Sequence, residues 1–158
     1  MKKDVVLTKP ITSSFLSCEK DTETILKKLF IESRPYSDIL KRLLVVQASD
    51  AMDKNYDMTN YSLKNLIDGK YIILGPKLEI PDHVNIKACI GLHFDNFTAT
   101  SNPEFKDCMI YISIMCNNDY WDLGNYRLRP FKIAGYIDGL LNNCRLSGIG
   151  TVEFIGCV

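Results

Sequence analysis

The run from Val84 to Phe94 alternates Val84, Ile86, Ala88, Ile90 and Leu92 against Asn85, Lys87, Cys89 and Gly91. Successive side chains of a strand point to opposite faces, so a period of two over this length predicts a β-strand with one apolar face. A second run, Phe105 to Cys116, is rich in Ile, Tyr, Met and Cys, and Met109 to Met115 is apolar almost throughout. Such a strand needs cover on both faces, or pairing within a larger assembly. Between the two lies Asp95 to Glu104, a ten-residue stretch that is mainly polar, with Asn, Thr, Ser and a single proline. The pair therefore predicts a long β-hairpin with an extended polar tip.

The rest of the chain is read around that hairpin. In Asp21 to Ile31 the period shifts to that of a helix, with Ile25, Leu26, Leu29 and Phe30 on one face and Asp21 or Thr22 as the cap. Arg34-Pro35 interrupts it. A second helix follows, with Ser37 as N-cap and an apolar stripe of Ile39, Leu40, Leu43 and Leu44. Ala48 to Thr59 carries no period and reads as a loop. Leu63, Leu66 and Ile67 predict a short helix that ends at Gly69, in the position where left-handed geometry is wanted. Tyr71 to Leu74 and Leu78 to Ile80 read as strand segments around Gly75-Pro76. Pro130 opens a last helix with the stripe Ile133, Ala134, Ile137, Leu140 and Leu141, ended by Asn142-Asn143. Ser147 to Gly150 turns the chain into a closing strand, Thr151 to Cys157. Asp4 to Ser17 reads as an extended arm, β-prone at Val5-Val6-Leu7 and barred from a helix interior at Pro10.

The expected fold is therefore α+β: N-terminal helices, a mixed or antiparallel sheet built on the long hairpin, and a C-terminal helix packed on the sheet before a closing strand. At 158 residues the chain suits one domain over residues 1–158, with an arm at 1–17 and a core at 18–158. Nineteen basic and nineteen acidic residues cancel, so no strongly basic nucleic-acid footprint exists at this level. A net charge near zero also does little to keep identical copies apart.

The six cysteines form no CxxC, and several lie in apolar runs, so they read as reduced, buried thiols rather than a disulfide framework. Only His83 and His93 are available to complete a zinc site, and neither has a recognised spacing to a cysteine. Neither a signal peptide nor a membrane-spanning stretch is visible. Phosphate-binding loops, dinucleotide fingerprints and nucleophile elbows are missing. His93 shares strand parity with Cys89, but a histidine in an apolar strand is more often structural than catalytic. The aspartate pairs Asp50/Asp53 and Asp119/Asp122 follow no calcium-loop pattern. The expectation is a protein that is not an enzyme and uses no metal or cofactor.

One cluster does suggest binding. Arg127, Arg129 and Lys132 interleave with Tyr120, Trp121, Tyr126 and Phe131. Arginine among aromatics can stack on single-stranded nucleic acid, and the same composition marks protein–protein hot spots. With no net positive charge the protein-interface reading is preferred. The two arginines could equally brace the helix start through a loop carboxylate such as Asp122.

The C-terminal half, Asn85 to Val158, resembles the tail-terminator and tail-completion proteins of tailed bacteriophages. The resemblance rests on Asp95-Asn96-Phe97 and Asn102-Pro103-Glu104-Phe105 at the hairpin, on Trp121-Asp122-Leu123-Gly124-Asn125-Tyr126-Arg127, and on Ile133 to Asn142 with Gly148-Ile149-Gly150. It implies a structural virion protein at the tail–neck junction, assembled in the host cytoplasm as a homo-oligomeric ring, expected to be a hexamer, that meets other tail and neck proteins. It also implies contact residues in the hairpin tip (Asn96, Phe97, Asn102, Phe105) and the following loop (Tyr120, Trp121, Tyr126, Arg127, with Arg129 beside it). The alternative expectation is a small phage-encoded binding or inhibitor protein that acts on a host protein or nucleic acid.

Overall fold

The computed structural model of the chain describes residues 18–75, 88–102 and 106–157. The predicted arm, the strand segment Leu78 to Ile80, the stretch Val84 to Lys87, His83 and Phe105 lie outside the described residues.

Among the described residues four helices and five strands follow one another: α1 (Cys18–Lys27), α2 (Tyr36–Val45), α3 (Leu63–Asp68), β1 (Ile72–Leu74), β2 (Ala88–Ala99), β3 (Lys106–Cys116), α4 (Arg129–Leu141), β4 (Cys144–Leu146) and β5 (Gly150–Val152). A π-helical turn, Lys28–Glu32, extends α1, and a 3-10 turn, Asn118–Tyr120, follows β3. The α+β expectation holds. In the three-stranded sheet β1 runs parallel to β2 and β2 antiparallel to β3, so the sheet is mixed.

The period read from the sequence is the one the structure uses. Across the hairpin Ile90 faces Ile114, Leu92 faces Ile112 and Phe94 faces Ile110, and β1 adds Ile72 beside Ile90. This face packs against α1, α2 and α4. Ile25, Leu26, Leu29 and Phe30 come from the first helix and its π turn, Leu40, Leu43 and Leu44 from α2, and Ile133, Ile137 and Leu141 from α4. Each fully buried side chain of this kind contributes roughly 1.5–3 kcal/mol by leaving water.

Several local expectations are corrected. Helix α1 begins at Cys18, so Asp21 and Thr22 lie inside it, and the Thr22 hydroxyl donates back to the Cys18 carbonyl. Ser37 does not cap α2, which starts a residue earlier. It is buried, and its hydroxyl accepts the Ser33 N–H while its own N–H donates to the Ser33 carbonyl. Ser37 thus serves the end of the preceding turn rather than the start of its own helix. Gly69 ends α3 at φ −78°, and the left-handed residue is Lys70 at φ 61°. Glycine is needed at 69 for space, because a Cβ there would come within 2.9 Å of the Tyr71 ring and 3.0 Å of the Asn65 carbonyl.

The hairpin tip is shorter than expected. Strand β2 continues to Ala99, which pairs with Lys106, and the irregularity is a bulge between Asp95 and Thr98. Two residues, Asn96 and Phe97, oppose Cys108 alone. A bulge absorbs the polar residues without ending the strand. The closing strand is also different: β5 covers only Gly150–Val152 and pairs with β4 in a separate two-stranded ribbon, while Phe154 to Cys157 carry no regular structure.

Candidate functional site

The interaction residues named from the sequence fall at opposite ends of β3. Asn96 and Phe97 occupy the bulge beside Cys108, and Asn102 lies exposed beyond it. Tyr120, Trp121, Tyr126, Arg127 and Arg129 belong to the loop that leaves Cys116. Eight residue steps of strand separate the two groups, about 27 Å.

At the bulge Asn96 and Thr98 bond within the hairpin. Asn96 has φ 52°, its N–H donates to the Asp95 carboxylate at 2.7 Å, and its side-chain amide donates to the Tyr111 hydroxyl at 3.1 Å. The Thr98 hydroxyl donates to the Asn96 carbonyl. Asparagine is one of the residues that enters left-handed geometry at little cost, which suits it to the bulge. On the same outer face the His93 ring stacks on Tyr111, with centroids 5.1 Å apart and planes at 10°. Cys89, at the same parity, is fully buried, and burial pushes its thiol up to about 11. A thiol that stays protonated at neutral pH is a poor nucleophile.

The loop at the other end is built around Arg129, which is 1% exposed. Its Nη1 donates to the carbonyls of Leu43 at 2.7 Å and Val46 at 2.8 Å. Its Nη2 donates to Gln47 and Ala48, and its Nε to Tyr120 at 2.7 Å. The last carbonyls of a helix have no partner inside it, so the guanidinium caps the C-terminus of α2 and complements its negative end. Burial pulls Arg129 below its ordinary value. This corrects the expectation of a contact residue: Arg129 is an internal brace, and it reaches backbone carbonyls rather than a loop carboxylate.

Arg127 is braced as well. Its guanidinium makes a two-pronged contact with Asp53, at 2.9 and 2.6 Å, and also donates to the carbonyls of Gly124 and Leu123. The side-chain bond from Arg127 holds the Asp53 carboxyl below its ordinary value. Asp50 is held down by Lys54 and Tyr56. The two aspartates weighed as a cation pair are thus each committed to a neighbour. With both guanidiniums spent inside the fold, neither is free for a phosphate backbone, and the nucleic-acid reading loses its principal cations.

These bonds set the shape of the loop. Leu123 is fully buried as its anchor, Asp122 bridges to Leu128, and the Asp122 carboxylate accepts the Gly124 N–H. The Trp121 indole N–H donates to the Cys116 carbonyl at 3.0 Å, tying the loop to the end of β3. Gly124, Asn125 and Tyr126 all have positive φ, at 72°, 52° and 60°. For a tyrosine that geometry costs on the order of 1–2 kcal/mol. Tyr126 stands fully clear of the surface at 105% exposure, and Phe131, in the first turn of α4, is 69% exposed. Trp121 and Leu128 are also exposed. Sequence reasoning found the aromatics but missed Leu123, Leu128 and Asp53, because nothing local marks a leucine as anchor or an aspartate as a partner 74 residues away.

Elsewhere a cleft of about 340 Å³ is lined by Arg34, Asp38 and Asn55 to Thr59. Among the described residues no group of three or more His, Cys, Asp or Glu is placed to hold a metal ion, and no helix is long and apolar enough to cross a membrane. Six free cysteines are present, with Cys157 exposed.

A family model described as YomW matches residues 37–158, from the second residue of α2 through β5. No curated protein matches the chain, and no solved structure does.

Proposed function

The chain belongs to the YomW family, which is phage-associated, and from that premise we propose that it is a structural subunit of a tailed-phage particle, a ring-forming tail-terminator or tail-completion protein at the tail–neck junction. The observation that carries the reading is the outer side of β3. This strand of eleven residues pairs with β2 alone among the described residues, and from Cys108 to Cys116 its sequence is apolar but for Ser113. An unpaired edge of that length is a template for another strand, and a closed cyclic assembly is the ordinary way to satisfy such edges. The exposed Trp121, Tyr126 and Phe131 add the aromatic surface that subunit contacts favour. The reading includes no catalytic step and no cofactor.

Native mass spectrometry of the purified chain, with negative-stain images of the same sample, tests it. Hexamer-sized species with ring views are expected. Complete, stable tails on particles produced without the chain would overturn it. A second reading, a phage-encoded protein that binds a host protein, draws support from Tyr126, an aromatic displayed fully outward on a left-handed backbone. It predicts a chain that is missing from purified particles but forms a defined complex with one host protein.

A further inference from the structure

We propose that the outer face of α4 pairs with the same face of a second copy of this chain, the two helices crossing at Gly135 with each Lys132 against the partner's Asp138. Such a contact is twofold and closes on two copies, so it goes beyond the ring reading and does not depend on it.

Helix α4 buries one side and exposes the other. Ile133, Ile137 and Leu141 lie in the core. With 3.6 residues per turn, the opposite side is centred on Gly135 and carries Phe131, Lys132, Asp138 and Gly139, with Leu128 just before the helix. All but the half-buried Lys132 are exposed. A Cβ at Gly135 or Gly139 would meet no atom of the described residues within 4 Å. The fold of a single copy thus gives no reason for glycine there, and glycine weakens a helix interior more than any residue but proline. What a glycine on an open helix face supplies is room for another backbone to come close.

Charge decides whose backbone that is. Lys132 lies three residues before Gly135 and Asp138 three residues after it, so the three form one slanted row across the exposed face. Neither charged side chain belongs to an ion pair among the described residues. A copy turned about a twofold axis at Gly135 presents the same row in reverse order. Such rows run at about 45° to the helix axis, so aligning the two crosses the helices at close to a right angle. Each Lys132 then meets the partner's Asp138, and Phe131 comes beside the partner's Phe131 on one flank, where exposed Leu128 extends the apolar strip. Two opposite-charge pairs and one aromatic pair follow from a single operation, with Gly135 at the point of closest approach. An acidic or basic helix of another protein would match only one end of the row. With no net charge on the chain, long-range repulsion does not oppose the pairing.

Sedimentation of the full-length chain over a range of concentrations tests the contact, with an equilibrium between monomer and pair expected. Gly135→Leu fills the crossing point with a better helix former and has open space in its own fold, so thermal stability should hold. Its pairing should fall at least about tenfold, because the two backbones can no longer approach. Lys132→Asp and Asp138→Lys should each weaken pairing by about tenfold, since both charge contacts turn repulsive. Mixed together, those two variants should recover a 1:1 pair by native mass spectrometry, because every contact across the axis is again between opposite charges. A pair that tolerates Gly135→Leu, or charge variants that mix only statistically, would overturn the α4 contact. A chain monomeric at every concentration would do the same. Rings that survive all three substitutions would uphold the tail reading and sink this contact. A pair lost to them, with no ring in any image, would uphold the contact and sink the ring.

Discussion

The two ends of β3 are held by different chemistry. At the Cys116 end, Arg129 reaches back 81 to 86 residues to the carbonyls that close α2, Arg127 reaches Asp53, and Leu123 is sunk in the core. At the bulge end, Asn96, Thr98 and Tyr111 bond only within the hairpin, and all are exposed or partly so. One end is tied to the helical layer by long-range hydrogen bonds, whereas at the other the side-chain bonds of Asn96, Thr98 and Tyr111 are local. At the Cys116 end the Trp121 indole is fixed by its bond to the Cys116 carbonyl, which reduces the entropy lost when it binds. Among the described residues no strand other than β2 pairs with β3.

The largest effect expected from breaking this contrast is at Arg129. Arg129→Ala leaves up to five carbonyls without their donor, several of them away from water, and should lower unfolding stability by about 3–5 kcal/mol in urea titration. Arg129→Lys should recover only part of that loss, since an ammonium cannot spread its donors as the guanidinium fork does. The same truncation at the other end, Asn96→Ala, should cost about 1 kcal/mol or less, mainly through the left-handed backbone. A comparable loss at both sites would erase the contrast.

Tyr126 offers a change of opposite sign. Tyr126→Gly removes a side chain that contacts nothing in the fold and relieves its left-handed backbone, so stability should rise by about 1 kcal/mol. Any assembly or partner binding that uses the loop should fall at the same time. A stability gain with undiminished assembly would remove Tyr126 from the contact surface.

A smaller, pH-dependent effect belongs to Asp53. Its pKa in the folded chain lies below the ordinary 3.8, so its contribution is present above that value and fades as the pH falls through the depressed one. Asp53→Asn should therefore be less stable than the parent at pH 7, with the gap closing in acid and shrinking in high salt. A gap that persisted in acid would show that Arg127 is held by its carbonyl bonds alone.

The smallest effect is on reactivity and leaves stability unchanged. A thiol reagent at pH 8 should modify exposed Cys157 first and buried Cys89 last, and Cys157→Ser should remove the fast phase. Early modification of Cys89 would mean that the hairpin opens as a unit.

Much of the fold was legible because it rests on local periodicity. Alternation in β2 placed Ala88, Ile90 and Leu92 on the buried face, and the helical stripes of α2 and α4 became their packed faces. Caps and turns were less legible, since Ser37 and Gly69 are chosen for contacts with Ser33, Tyr71 and Asn65 rather than for their usual positional roles. Of the candidate site, the sequence supplied the residue types, and Tyr126 and Trp121 are exposed. For Arg129 the sequence left contact and brace open and named the wrong partner for the brace, because composition cannot distinguish a surface arginine from a buried one that satisfies a distant helix end.

The amino-acid order by itself determined the α+β class, the hairpin and the apolar faces, because side-chain direction follows from the repeat of strand or helix over a few residues. Tertiary structure alone decided the parallel pairing of β1 with β2, the separation of β4 and β5 into their own ribbon, the left-handed display of Tyr126 and the burial of Arg129. Each of these depends on groups that are far apart in the chain meeting in space, and on hydrogen-bond donors and acceptors that must find partners once water is excluded.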